Sequence, residues 1–146
     1  MSQTSADILL AEDSEDDAML CIRALVKSGF ANNVCHVSDG ALALDYIYCR
    51  EAYALRDKRE QPKLILLDLK MPKISGLQVL EILKTDPDTK AIPIVVLTSS
   101  KEDPDIKKCY RLGANSYIVK PVESENFFQA IKELGLYWMV RNQPVE

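Results

Sequence analysis

Apolar residues in this chain cluster in five short runs: Ile8–Ala11, Val34–Val37, and positions 64–67, 93–97 and 117–119. Most are unbroken Leu, Ile and Val without polar alternation, the pattern of strands covered on both faces in a parallel sheet. Between them the apolar positions recur at helical spacing. Met19, Ile22, Leu25 and Val26 form the first such stripe, and Ala41, Leu44, Ile47 and Tyr48 the second. Leu77, Val79, Leu80, Ile82 and Leu83 form the third, and Phe127, Ile131, Leu134 and Trp138 the last. Helix punctuation agrees with these stripes. Ser14 is an N-cap followed by Glu15, Asp16 and Asp17, where negative charge favours a first turn. Gly29 and Gly113 end helices. Asp39 and Asp103-Pro104 open them, with Pro104 expected at the first helical position.

Five strands alternating with five helices predict an α/β fold, a flavodoxin-like (βα)5 doubly wound parallel sheet of strand order 2-1-3-4-5 with right-handed crossovers. The 146 residues suit one domain, 1–146, with a core over about 7–135 and an apolar extension over 136–146. Residues 49–62 are charged and are expected to extend the second helix and then run as a solvated loop.

Charge narrows the partners. The net charge of −4 argues against a nucleic-acid footprint and towards a bound cation or a cationic partner. Four cysteines (Cys21, Cys35, Cys49, Cys109) without a C-x-x-C pair or an N-terminal signal are expected to be free thiols in a reducing cytoplasm. No apolar run approaches a membrane span. His36 has no sequence partner for a catalytic triad and is expected at a surface or sheet edge.

The residues that close the strands carry the chemistry. The first run ends in Glu12 and Asp13, the third in Asp68, the fourth in Thr98 and the fifth in Lys120. In a parallel sheet all these ends share one edge, where ligands bind. Two carboxylates 5 Å apart repel by ~3 kcal/mol at an effective dielectric of about 20, so such a cluster holds a proton or a cation. A few hard oxygens with room for water and a phosphoryl group suit Mg²⁺. Asp68 beside Mg²⁺, a lysine and a hydroxyl is equipped to accept a phosphoryl group as nucleophile, with metal and lysine neutralising charge.

The set Glu12-Asp13, Asp68-Leu69-Lys70-Met71-Pro72, Thr98-Ser99 and Lys120-Pro121 resembles the receiver domain of two-component response regulators. The resemblance covers about residues 7–135. It implies Asp68 as phosphoacceptor and Asp13, Asp68 and the Lys70 backbone carbonyl as Mg²⁺ ligands, with Glu12 acting through water. It implies Thr98 and Lys120 as switch hydroxyl and phosphate-pairing lysine, Tyr117 as the aromatic that moves with Thr98, and a cis Lys120-Pro121 peptide. The long gap between Asp13 and Asp68 and the tail after the fifth helix resemble the small regulators that partner cyanobacterial and other bacterial phytochromes. A sensor histidine kinase, a phytochrome in the narrower reading, is then the expected donor. The apolar tail (Tyr137, Trp138, Met139), with the face of the fourth helix, fifth strand and fifth helix, is the expected homodimer interface. The Lys70 side chain is expected to overhang the site. With no output domain after the receiver unit, the signal would leave through protein contacts, or the chain would act as a phosphate shuttle or sink.

Two other classes fit less well. A Mg²⁺-dependent phosphatase or phosphotransferase working through an aspartyl phosphate usually carries a second acid two residues after the nucleophile, where this chain has Lys70. An FMN-binding flavodoxin-like protein needs a phosphate cradle after the first strand, and the acids at 12–17 would repel a phosphate.

Overall fold

The computed structural model describes residues 6–29 and 34–136. The strands are β1 (Ile8–Ala11), β2 (Val34–Val37), β3 (Leu64–Asp68), β4 (Ile94–Thr98) and β5 (Ser116–Val119). The helices are α1 (Glu15–Lys27), α2 (Gly40–Ile47), α3 (Gly76–Thr85), α4 (Asp105–Leu112) and α5 (Ser124–Glu133). All pairings are parallel, and the strand order is β2-β1-β3-β4-β5 as expected.

The period of two along each strand divides the core into two layers. Ile8, Leu10, Leu64, Leu66, Val95, Leu97 and Ile118 pack with Ala18, Cys21, Leu25, Phe127 and Ile131 on the α1/α5 side. Leu9, Ala11, Ile65, Leu67, Ile94 and Val96 pack with Leu44, Ile47, Leu80, Leu83 and Cys109 on the α2–α4 side. A strand covered on both faces has no polar positions to alternate, hence the unbroken apolar runs.

Helix ends obey local chemistry. The Ser14 hydroxyl accepts from the Asp17 amide at 3.2 Å, and the Asp39 carboxylate accepts from the Leu42 amide at 2.8 Å. Ser75 and Gln78 form a capping box at α3. Gly113 closes α4 with φ 111°. Asp103 caps α4 with its carboxylate, which accepts from the Asp105 amide at 2.9 Å. Pro104 already has helical dihedrals, so the cap and proline act as the sequence suggests although the regular helix starts one residue later.

Two expectations need correcting. The inner face of α1 is made by Ala18, Cys21, Ala24 and Leu25, while Met19, Leu20 and Val26 are 54%, 42% and 55% exposed. Small residues let the helix lie close to the sheet and to α5, a preference that a search for large apolar side chains misses. The charged segment after α2 is not simply a solvated loop. After a short 3₁₀ turn (Glu51–Tyr53), Arg56 is 5% exposed, its guanidinium 3.8 Å from the centre of the Tyr46 ring. Arg56 donates to the carbonyls of Tyr46 and Glu60 and to the Cys49 sulfur. Arginine can be buried this way because its planar fork satisfies several acceptors while stacking on a ring. The expectations for Trp138 and the tail fall outside the described residues.

Gly76 ties the fold to the site. Its amide donates to the Leu69 carbonyl at 3.0 Å, and a methyl group at its Cα would collide with the Asp68 carbonyl oxygen. Gly76→Ala is therefore expected to lower stability by about 2–3 kcal/mol through overpacking against backbone, read from the urea midpoint. An unchanged midpoint would show that the first turn of α3 does not brace the segment after Asp68.

Candidate functional site

Alternation along the strands decides which groups meet. Asp68 continues the phase of Leu64 and Leu66, facing the α1/α5 side, and Thr98 continues that of Ile94 and Val96, facing the other. The ladder persists beyond the regular strands: the Glu12 amide donates to the Val37 carbonyl at 3.0 Å and the Lys120 amide to the Thr98 carbonyl at 2.7 Å. Glu12 and Lys120 thus keep the phase of Leu10 and Ile118, on the same side as Asp68.

The outcome is an acidic cluster closed by one cation. Carboxylate oxygens of Glu12, Asp13 and Asp68 lie within 4.8 Å of one another. Glu12 is fully buried, Asp68 is 4% exposed, and Asp13 faces solvent. The Lys120 ammonium is 3.0 Å from Glu12, 3.1 Å from Asp17 and 3.4 Å from Asp68. The other oxygens of the buried acids accept backbone amides, Ser14 to Glu12 at 3.1 Å and Lys70 to Asp68 at 3.3 Å. The Thr98 hydroxyl meets the Ser100 carbonyl at 3.1 Å and the Asp103 carboxylate at 3.2 Å. Asp13, Ser14, Asp17, Asp68, Lys70, Thr98, Asp103 and Lys120 line a cleft of about 180 Å³, room for several waters or a phosphoryl group at ~30 Å³ per water.

The expected acids, the hydroxyl and the lysine converge, and Tyr117 stands apart from them. Tyr117 sits half-buried on β5 away from the cleft, its ring edge-on to Tyr110 with centroids 6.2 Å apart. The Lys120-Pro121 peptide is cis. His36 lies on the edge strand β2, where its Nε2 is 2.7 Å from the Glu12 carbonyl; with a carbonyl acceptor, this nitrogen is the donor. Two further residues belong to the site that sequence patterns alone do not place there. Asp17 has the spacing of a first-turn helix acid facing solvent, yet its carboxylate reaches Lys120. Asp103 reads as a cap and is one, but its second oxygen meets Thr98. Their spacing within α1 and before α4 carries that signal only once those helices are placed over the sheet edge.

Electrostatics reflect burial. Burial, reinforced by the Asp68 side chain beside it, pushes the Glu12 carboxyl from an ordinary 4.5 up to about 7. Burial alone would lower the Lys120 ammonium. The hydrogen bond to Glu12, the charge on Asp68 and the contact with Asp17 reverse this and hold it well above its ordinary value of 10.5. Lys120 therefore stays charged wherever the carboxylates titrate. Cys21, beneath Glu12, is pushed up to about 12 by burial and by that carboxylate, an inert thiol.

A five-stranded sheet of this order, with acids, a hydroxyl and a lysine at its carboxyl edge, defines a receiver-type signalling domain. The model of the response regulator receiver domain matches residues 8–132, and the chain belongs to that family, a signalling family whose members receive from sensor histidine kinases and bind Mg²⁺ at this acidic site. The probable methanogenesis regulatory protein FilR2 of Methanothrix harundinacea is 38% identical over 136 residues, covering 93% of this chain and 85% of its own. The response regulator Rcp1 of Synechocystis is 34% identical over 132 residues, 90% of this chain and 88% of its own. The crystal structure of its Mn²⁺-bound form has a TM-score of 0.74 and covers 96% of this chain and 99% of that one. The bacteriophytochrome response regulator RtBRR is 44% identical with a TM-score of 0.86, covering 97% of this chain and 85% of that one. The chain is thus homologous to phytochrome response regulators, and neither the small-substrate enzyme nor the FMN-binding reading is favoured. Among the described residues no helix is long and apolar enough to cross a membrane.

Glu12 provides a test. Folded, its carboxyl holds a proton more tightly than the unfolded chain does, so the stability this contributes is complete below pH 4.5 and is lost as pH rises through about 7. In EDTA the urea midpoint of the native chain should fall between about pH 5 and about pH 8, and that of Glu12→Gln should fall by less. Equal falls would show that Glu12 does not hold the proton.

Proposed function

We propose that this protein is a phosphorylation switch in which Asp68 accepts a phosphoryl group from a sensor histidine kinase. The observation that carries the reading is the buried Asp68 carboxylate, within 4.8 Å of the acids Glu12 and Asp13 and 3.4 Å from the Lys120 ammonium. An Asp68 oxygen attacks the phosphorus of a phosphohistidine. The P–O bond forms, the P–N bond breaks, and its electron pair stays on the imidazole, which takes up a proton. Lys120 pairs with the phosphoryl oxygens, and the Thr98 hydroxyl donates to one of them.

The donor set fits a small hard cation: clustered carboxylate oxygens, one acid at the solvent edge, and no thiol or imidazole among the lining residues. Asp13, Asp68 and the Lys70 carbonyl would hold Mg²⁺, with Glu12 acting through water. Mg²⁺ at this position offsets the negative charge that gathers as the phosphoryl group meets three acids. Asp17 and Asp68 hold the Lys120 ammonium at the cleft, so the lysine is in place before the phosphoryl group arrives. The Lys70 side chain, exposed at the rim, stands where water approaches the acyl phosphate.

The narrower reading makes the kinase a bacterial phytochrome. It is supported by the homology to Rcp1 and RtBRR and by the long gap between Asp13 and Asp68. The receiver unit occupies the single domain, and phosphorylation biases a two-state surface that includes Thr98 and Tyr117. Output then passes through protein contacts at the α4–β5–α5 face, where Tyr110 is 47% exposed, and through a homodimer completed by Tyr137, Trp138 and Met139.

Incubation with Mg²⁺ and acetyl phosphate should give an acid-stable, base-labile adduct on the native chain and none on Asp68→Asn; an adduct persisting in that variant would refute the assignment. Asp13→Asn should weaken Mg²⁺ binding by roughly tenfold or more, seen in a calorimetric titration. For the dimer, light scattering of Trp138→Ala should show a shift towards monomer, and an unchanged mass would count against the tail as interface.

A further inference from the structure

The switch hydroxyl already has an anionic partner. Thr98 is 2% exposed, and its Oγ1 lies 3.1 Å from the Ser100 carbonyl and 3.2 Å from Asp103 Oδ2. A hydroxyl has one hydrogen to give, and an ionised carboxylate is a stronger acceptor than a neutral carbonyl. The same Asp103 accepts the Asp105 amide on Oδ1 at 2.9 Å, and its carbonyl accepts the Ile106 amide at 3.1 Å. One carboxylate thus joins the hydroxyl at the end of β4 to the first turn of α4, and both line the cleft that holds Asp68.

The geometry points to Asp103 as a positioning residue that latches the Thr98 hydroxyl in the unphosphorylated protein. The inference rests on the reading of Asp68 as phosphoacceptor and adds how that site is regulated. A phosphoryl group on Asp68 and the Asp103 carboxylate compete for the same single hydrogen. When Thr98 turns to the phosphoryl group, Asp103 loses a charge-assisted partner and keeps only its bonds to α4. The latch therefore opposes the phosphorylated state and makes its release an event at the start of α4. Asp103 also adds negative charge to the cleft whatever Thr98 does, so the two effects have to be separated.

The test uses the full chain with Mg²⁺ and beryllofluoride, a phosphoryl mimic, and reads the loaded fraction from the bound ¹⁹F resonance. Asp103→Asn keeps an oxygen to cap the Asp105 amide but removes the carboxylate that accepts the Thr98 hydrogen bond. It should raise beryllofluoride affinity by roughly tenfold to a hundredfold, the range set by a hydrogen bond to a charged group. Thr98→Val removes the hydroxyl at nearly constant shape, and in that background only the charge effect of Asp103→Asn remains. The gain in the native background should exceed that in Thr98→Val by at least about threefold, the signature of coupling between the two side chains. Equal gains in both backgrounds, or none in the native one, would overturn the latch. Failure of the native chain itself to load, with Asp68→Asn behaving identically, would instead overturn the phosphoacceptor reading.

Discussion

The site depends on one half-buried ammonium ion held among carboxylates. Removing Glu12 from water is costly for its charged form, and Asp68 beside it adds like-charge repulsion. Lys120 offsets both by touching Glu12, Asp17 and Asp68 at once. These partners come from the end of β1, the first turn of α1 and the end of β3, so the contact also ties the end of β5 to α1 and β3 at the carboxyl edge of the sheet. Because the ammonium is held well above its ordinary pKa, the arrangement responds to what enters the cleft and not to protonation of the lysine.

That arrangement is possible because the sheet is buried on both faces. Each strand sends alternate residues to two different helical layers, and the same alternation runs on into the polar residues at the carboxyl edge. Glu12, Asp68 and Lys120 inherit the α1/α5 side, and Thr98 inherits the α2–α4 side. Gly76 permits the first turn of α3 to press on the backbone just after Asp68, leaving that carboxylate little freedom to retreat from the cluster. The packing that stabilises the fold is also what confines the charges.

The order of strands and the residues at their ends are legible in the sequence because both come from local patterns: apolar runs, caps, and acids or hydroxyls closing a strand. The structure adds what depends on helix placement. Asp17 and Asp103 have unremarkable helix-capping spacings, and only the tilt of α1 and the position of α4 bring them to Lys120 and Thr98. Arg56 looks solvated in sequence because charge runs usually are, yet its guanidinium stacks on the Tyr46 ring and donates to the Tyr46 and Glu60 carbonyls and the Cys49 sulfur, nearby partners that only the folded turn brings around it. The inner face of α1 misleads for the opposite reason. Close approach to the sheet selects Ala18, Cys21 and Ala24, and leaves Met19 and Val26 outside.

In the proposed switch Thr98 and Lys120 face opposite sides of the sheet, and this gives a single phosphoryl group on Asp68 two consequences. On the α1/α5 side it meets Lys120, whose other partners are carboxylates, so added negative charge strengthens an existing cluster without requiring α1 to move. On the α2–α4 side it competes for the hydrogen of Thr98, which is already engaged by Asp103 at the start of α4. One contact secures the modification and the other must break to register it. In the proposed switch a signal arising at Asp68 is therefore expected to emerge at α4, because there capturing the phosphoryl group requires giving up the bond between Thr98 and Asp103 that the resting protein makes.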